Sequence, residues 1–266
     1  MPFQLGFLGA GNMAEAIARA AIDHEIIPLN QIIASDPSET RRNVFASLGV
    51  ETTDDNTRLA REAGNILLAV KPQAFPEAAG DLKEMDIDRQ IVLSIMAGIP
   101  STKIEQLVGK PMRIVRIMPN TPVFVGCGMA GVALSEHARE GDDDLAMRLF
   151  NAAGKAIRFK EDQLHAVTAV SGSGPAYVFY LAEAMQDAAG KLGLGEHARL
   201  LVTQTLLGAA RMLGESPDDA AELRRKVTSP GGTTERAIAC FDQDHMRRII
   251  AEGMKACEAK SRELGK

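Results

Sequence analysis

A short apolar run near the start of the chain, Phe3–Leu8, leads directly into Gly9-Ala10-Gly11-Asn12-Met13-Ala14. The run reads as a strand and the residues after it have helical spacing, so this G-x-G-x-x-A stretch sits at a strand-to-helix turn. Gly9 lets the chain reverse tightly. Gly11 removes the side chain that would hold a pyrophosphate off the backbone, and Ala14 lets the helix lie close to the strand. The helix start then offers unpaired N–H groups and the positive end of its dipole to an anion. Such a turn can also be purely structural; its place between strand and helix favours a dinucleotide.

The alternation continues beyond the turn. Gln31–Ser35, Asn65–Val70, Gln90–Ile95, Met112–Ile117 and Met129–Leu134 read as further strands, with a last one at Ala156–Phe159. Asn12–Ile22 and Glu39–Leu48 read as helices, the second stopped by Gly49. Apolar strands alternating with helices predict a parallel sheet covered on both faces. Right-handed crossovers make this a doubly wound, Rossmann-like domain over residues 1–160. From Glu161 onward helices alone are expected: Glu161–Ala169, Pro175–Leu192, Glu196–Leu213, Asp218–Val227, Thr233–Phe241 and His245–Arg262. The fold class is therefore α/β, an N-terminal Rossmann-like sheet followed by an all-helical domain over 161–266. Ala182, Ala184, Met185, Ala188 and Ala189, and later Gly208, Ala209 and Ala210, give these helices apolar surface on several sides. Helices of that kind are buried on more than one side, which predicts dimerisation through the second half; a self-contained bundle is the plainer alternative.

Composition narrows the function classes. The 266 residues carry a net charge of −5, so neither nucleic acid nor an anionic membrane is expected as partner. Cys127, Cys240 and Cys257 form no C-x-x-C pair, which argues for free thiols in a reducing compartment. His24, His137, His165, His197 and His245 form no ligand-spaced set, so no metal is expected. Met1-Pro2 leads almost at once into the first strand, with no basic leader or cleavage site. A cytoplasmic location is the expectation.

The strand ends carry the next candidates. Asp36 follows the second strand, roughly twenty-odd residues beyond the glycines, where a carboxylate holds the adenosine 2′-hydroxyl and repels a 2′-phosphate. Arg41 and Arg42 are near enough in sequence to hold such a phosphate instead, or to line a solvated helix face. NAD(H) and NADP(H) both remain open at this point. Lys71 in Val70-Lys71-Pro72, and Met96-Ala97-Gly98, end the third and fourth strands, where ligands bind in open α/β sheets. Lys71 is a candidate acid, a cofactor contact or simply a solvated lysine.

Three further segments stand out: Arg116-Ile117-Met118-Pro119-Asn120-Thr121-Pro122, Val170-Ser171-Gly172-Ser173-Gly174-Pro175-Ala176-Tyr177, and Val227-Thr228-Ser229-Pro230-Gly231-Gly232-Thr233-Thr234-Glu235. They present hydroxyls and backbone N–H groups that suit a small carboxylate, although ordinary helix capping explains any one of them alone. Taken together with G-F-L-G-A-G-N-M-A and A-V-K-P, these motifs resemble pyrroline-5-carboxylate reductase over almost the whole chain.

The resemblance implies reduction of 1-pyrroline-5-carboxylate to L-proline with NAD(P)H, a helical dimerisation domain, and often a decamer of five dimers. It implies that Gly9, Ala10, Gly11, Asn12 and Met13 contact the cofactor, with Asn56, Val70, Lys71 and Ala97 around its far half. Ser229, Gly232 and Thr233 would hold the substrate carboxylate, and Thr234 would lie near the ring nitrogen as the catalytic side chain. Asp36 departs from the pattern, because members using NADPH often carry a hydroxyl residue there. Two other classes share the architecture. A β-hydroxyacid dehydrogenase needs a lysine base, for which Lys191 and Lys226 are available. A non-catalytic nicotinamide-sensing module would leave the Ser229–Thr234 motif unexplained.

Overall fold

The computed structural model describes residues 1–265. The chain forms two compact units, one of Met1–Gly174 with the final helical turns from Cys257, the other of Pro175–Ala256.

The first unit is built on one eight-stranded sheet in the order β3-β2-β1-β4-β5-β6-β7-β8. Its strands are β1 (Phe3–Leu8), β2 (Ile32–Ser35), β3 (Glu51–Thr53), β4 (Ala63–Leu68), β5 (Ile91–Ser94), β6 (Ile114–Pro119), β7 (Gly128–Leu134) and β8 (Gly154–Arg158). β1 pairs in parallel with β2 on one side and with β4 on the other. The winding therefore reverses at β1, and ligands bind such sheets beyond the strand ends at that reversal.

Side chains alternate between two core layers. Leu5, Phe7, Ile32 and Leu67 enter one; Leu8, Ile33, Ile66 and Leu68 enter the other. Because both faces are covered, the strands are apolar at successive positions. On the first face, helix Asn12–Asp23 buries Ala14, Ile17, Ala18 and Ala21, a single helical stripe. Helix Glu39–Ser47 starts at Ser38, whose side chain accepts from the Arg41 N–H, and it buries Phe45. Phe45 meets Phe7 edge to face at 5.6 Å. Burying such a side chain is worth about 1.5–3 kcal/mol, above the ~0.5–1.5 kcal/mol of ring geometry, so burial decides the packing. On the second face, Asp55 caps helix Asn56–Glu62 by accepting from Thr57 and Arg58 N–H groups.

The sheet is mixed where the alternating pattern predicts a wholly parallel one. β7 runs antiparallel to β6, and β8 is parallel to β7. A single 3-10 turn, Thr121–Val125, joins β6 to β7, and a parallel crossover needs a dozen residues or more. The strand expected over Asn65–Val70 lies at Ala63–Leu68, and Val70 is released from the ladder. β3 is a polar edge strand that no apolar pattern announces. The expected helix Glu161–Ala169 is a 3-10 turn, one α-turn at Leu164–Val167 and a π-turn at Thr168–Gly172.

A buried polar cluster lies at the end of the first unit. Arg116 on β6 is 5% exposed and pairs with Glu161 at 3.2 Å. Burial pulls the guanidinium pKa down and Glu161 pushes back. The same carboxylate accepts from the Ser101 N–H and Oγ, each at 2.7 Å, at the start of helix Ser101–Val108. Nearby, His165 Nδ1 lies 2.9 Å from Ser261 Oγ. Burial first, then the charges of Arg116 and Arg262, lower the His165 pKa.

The second unit contains helices Ala198–Glu215, Ala220–Lys226 and Thr233–Gln243, most of Gly174–Lys191 and the first part of Met246–Leu264. Tyr180 and Leu200 are 75% and 71% exposed and Phe179 is 64% exposed, large apolar side chains of the kind that protein-contact surfaces use. Among the described residues no helix is long and apolar enough to cross a membrane.

Glu161→Ala strands a buried guanidinium and uncaps a helix, so urea unfolding should show a loss of about 3 kcal/mol. His165 has a lowered folded-state pKa, so its protonation favours the unfolded chain as pH falls through and below the unfolded value of about 6.5. His165→Gln should therefore lose less stability than the parent between pH 7 and pH 5 in thermal melts; an identical loss would exclude His165 as a contributor.

Candidate active site

The turn after β1 is fixed from three sides. Gly9 adopts φ +97°, and a Cβ there would lie 3.0 Å from the Ala69 backbone and 2.9 Å from Val70. Its N–H donates to Ser35 O at 2.8 Å, while the Ala69 N–H donates to Leu8 O at 2.9 Å. The turn is thus bound to the ends of both neighbouring strands. Gly11 is the opposite case, because a Cβ there would meet nothing within 4 Å. It is the N-cap of the helix Asn12–Asp23, and no side chain caps it. Open space over an uncapped helix start suits a pyrophosphate.

Two adjoining clefts open at the strand ends. Gly9, Ser35, Pro37, Asn56, Val70 and Glu77 are among the residues lining the first. Met13, Val70, Lys71, Ala97, Met118 and Asn120 are among those lining the second. Val70 belongs to both, so the two form one run past the glycine turn. Of the cofactor residues expected from sequence, Gly9, Met13, Asn56, Val70, Lys71 and Ala97 reach this surface. Ala10 does not; it is fully buried. Its N–H donates to Asp36 Oδ2 at 2.8 Å and its carbonyl accepts from Arg41 Nε at 2.5 Å. Asp36 therefore serves first as a clamp on the turn. Asn56 is held in place, accepting from Ser35 Oγ at 2.6 Å and donating to Asp81 at 3.0 Å.

The second cleft has a wall that the sequence shows only as separate motifs. Met118, Pro119, Asn120 and Thr121 come from the end of β6, and Gly172 from the π-turn. Asn120 joins them: its Oδ1 accepts from the Met129 N–H at 2.8 Å, and its Nδ2 donates to Ser171 Oγ at 3.2 Å. A Cβ on Gly172 would run into the Met118 terminal methyl, so a larger residue there would have to push Met118 aside. Asn120 and Ser171 are 51 positions apart, and no local pattern announces their contact.

Ser229, Gly232, Thr233 and Thr234 lie in the second unit. The Gly232 N–H donates to Ser229 O at 2.9 Å, and Gly231 has φ +72° with its N–H donating to Glu235 at 2.7 Å. Gly232 is the N-cap of helix Thr233–Gln243, again without a side-chain cap. Ser229 and Thr233 are exposed and Thr234 is half-buried. Among the described residues there is no group of three metal-ligating side chains.

Comparison with known proteins matches two separate stretches of the chain to family models. Residues 161–264 match the family model "Pyrroline-5-carboxylate reductase dimerisation", and residues 4–98 match "NADP oxidoreductase coenzyme F420-dependent". A pyrroline-5-carboxylate reductase of Haemophilus influenzae is 43% identical, covering 98% of this chain and 97% of the relative. A solved pyrroline-5-carboxylate reductase of Coxiella burnetii superposes with a TM-score of 0.91 at 38% identity, covering 100% of both chains. The pyrroline carboxylate reductase of Plasmodium falciparum, solved with NADP bound, gives 0.88 at 30% identity, covering 99% of this chain and 98% of that one.

The two glycines should respond differently to substitution. Gly11→Val should keep stability within about 1 kcal/mol yet weaken dinucleotide binding at least tenfold in calorimetry. Gly9→Ala should lower stability itself, by about 1–3 kcal/mol, as measured by urea unfolding. Equal effects of the two on stability would contradict this assignment of roles.

Proposed function

The chain belongs to the pyrroline-5-carboxylate reductase family, and we propose that it reduces 1-pyrroline-5-carboxylate to L-proline with a reduced nicotinamide cofactor. Kinship over the full length of these relatives carries this reading. The site chemistry supports it. The Gly11 helix start offers N–H groups for the pyrophosphate, and Asn56, Val70, Lys71 and Ala97 line the cleft where the rest of the dinucleotide would lie. When bound, the cofactor supplies the hydride.

The division of labour we propose is a dinucleotide-binding part over 1–160 and a substrate and dimerisation part over 161–266. Ser229, Gly232 and Thr233 take the substrate carboxylate at a helix start whose dipole favours an anion. Thr234 Oγ hydrogen-bonds the ring nitrogen. The substrate is a cyclic imine, and protonation at nitrogen makes its C5 electrophilic. Hydride adds at that carbon, leaving the amine of proline, so the chain's task is mainly positioning. Well-oriented reactants can gain up to ~7–11 kcal/mol this way. The exposed apolar residues Phe179, Tyr180 and Leu200 support a homodimer, and the dimer is a unit from which a decamer can be built.

A hydroxyacid dehydrogenase would need a lysine base. Lys226, one of the two lysines available, is instead paired with a carboxylate, donating to Asp218.

Purified protein with DL-pyrroline-5-carboxylate should oxidise NADH or NADPH and form proline. Activity on hydroxy acids alone would overturn the assignment. Thr234→Ala should lower kcat/KM by roughly 1–3 kcal/mol in transition-state terms; unchanged kinetics would remove Thr234 from the mechanism.

A further inference from the structure

We propose that the chain takes NADH in preference to NADPH, and that Asp36 makes the choice. The inference rests on the dinucleotide reading of the strand-end cleft and goes further, to the group on the adenosine ribose.

Asp36 directly follows β2, and its neighbours Ser35 and Pro37 both line the cleft beside Gly9. Its carboxylate is fixed on both oxygens. Oδ2 accepts from the Ala10 N–H and Oδ1 from the Ser38 N–H, each at 2.8 Å. An ionised carboxylate has about four acceptor positions, so two remain. They suit the two hydroxyls of a ribose, which are donors. A 2′-phosphate at the same place would bring roughly two negative charges against a carboxylate that the turn holds in position.

A neighbouring cation could relieve that repulsion, and two arginines are close in sequence. Both already donate to groups of the chain. Arg41 donates through Nε to the Ala10 carbonyl and through a terminal nitrogen to Glu15 at 3.0 Å. Arg42 donates to the backbone carbonyls of Asp36 at 2.7 Å and Pro37 at 2.9 Å. Freeing Arg41 would strand the Ala10 carbonyl and leave Glu15 to Arg19 alone. Among the described residues the first cleft's lining contains no lysine or arginine, and its one charged side chain is Glu77. Asp81 adds a second carboxylate behind Asn56. The whole adenosine end is thus set against a further anion.

The test separates charge from scaffold. Asp36→Asn keeps an oxygen to accept from the Ala10 N–H and removes the negative charge. Calorimetry with the full chain would compare ADP-ribose with its 2′-phosphate, so no turnover is needed, and kcat/KM would be measured with NADH and NADPH. The parent should bind ADP-ribose at least tenfold tighter and show the same order in kcat/KM. D36N should narrow both ratios at least tenfold, chiefly by improving the 2′-phosphorylated partner. Asp36→Ser serves the same purpose if D36N is unstable. A parent that binds the 2′-phosphate equally or better, or variants that weaken both ligands in parallel, would overturn the role of Asp36 while leaving the reductase reading intact. Binding of neither ligand would overturn the dinucleotide reading, and this inference with it.

Discussion

The backbone reversal at Gly9 sets how β1, β4 and the helix that follows meet at the cleft. Its φ of +97° and the 3.0 Å gap that a Cβ would leave to the Ala69 backbone mean that β1 and β4 can end side by side only if this residue is glycine. The reversal is then locked by backbone hydrogen bonds to Ser35 and by the Asp36 carboxylate on the Ala10 N–H. Directly beyond it the chain enters a helix with empty space over Gly11. An open, uncapped helix start and fold closure are thus two outcomes of one turn.

Polar groups around β6 solve a different problem. Arg116 lies on an interior strand where a charge is expensive. Glu161 offsets that cost and also caps helix Ser101–Val108, so one carboxylate satisfies three donors. The helix it caps comes after the Met96–Gly98 strand end, part of which lines the second cleft. Gly98 is held closely from elsewhere too, with φ +78° and no room for a Cβ against Leu264. The second cleft is therefore supported by groups that do not line it.

Sequence patterning made some of this legible and hid the rest for physical reasons. Phe3–Leu8 and the helix expected over Asn12–Ile22 were readable because continuous apolarity and apolar helical spacing each match one period, although the face that is buried runs through Ala14, Ile17, Ala18 and Ala21. β3 was not, since Glu51–Thr53 has no apolar residue and is a strand only because β2 pairs with it. The direction of β7 was hidden because an apolar run reads alike either way. Of the candidate site, the glycine turn and the strand ends were visible as local chemistry. The burial of Ala10 and the hold of Asp36 on it were not, because they link residues 26 positions apart. Met118, Asn120 and Gly172 stood in motifs, but their assembly into one wall depends on tertiary packing.

That wall arises from the departure from a parallel sheet. A right-handed crossover after β6 would carry the chain back along one face before β7 began. The short antiparallel connection instead keeps residues 120–127 at the end where β1, β4 and β5 finish. Asn120 then reaches Met129 on the next strand and Ser171 on the π-turn. Single π-turns recur at functional positions because the extra residue re-aims the chain, and here it brings Gly172 against Met118. One reversed strand thus turns an open sheet edge into a cleft with two sides. A cofactor ring lying there would have Met13, Val70 and Ala97 on the side of the parallel strands and Met118 to Thr121 on the other, which is the enclosure that a reaction governed by orientation requires.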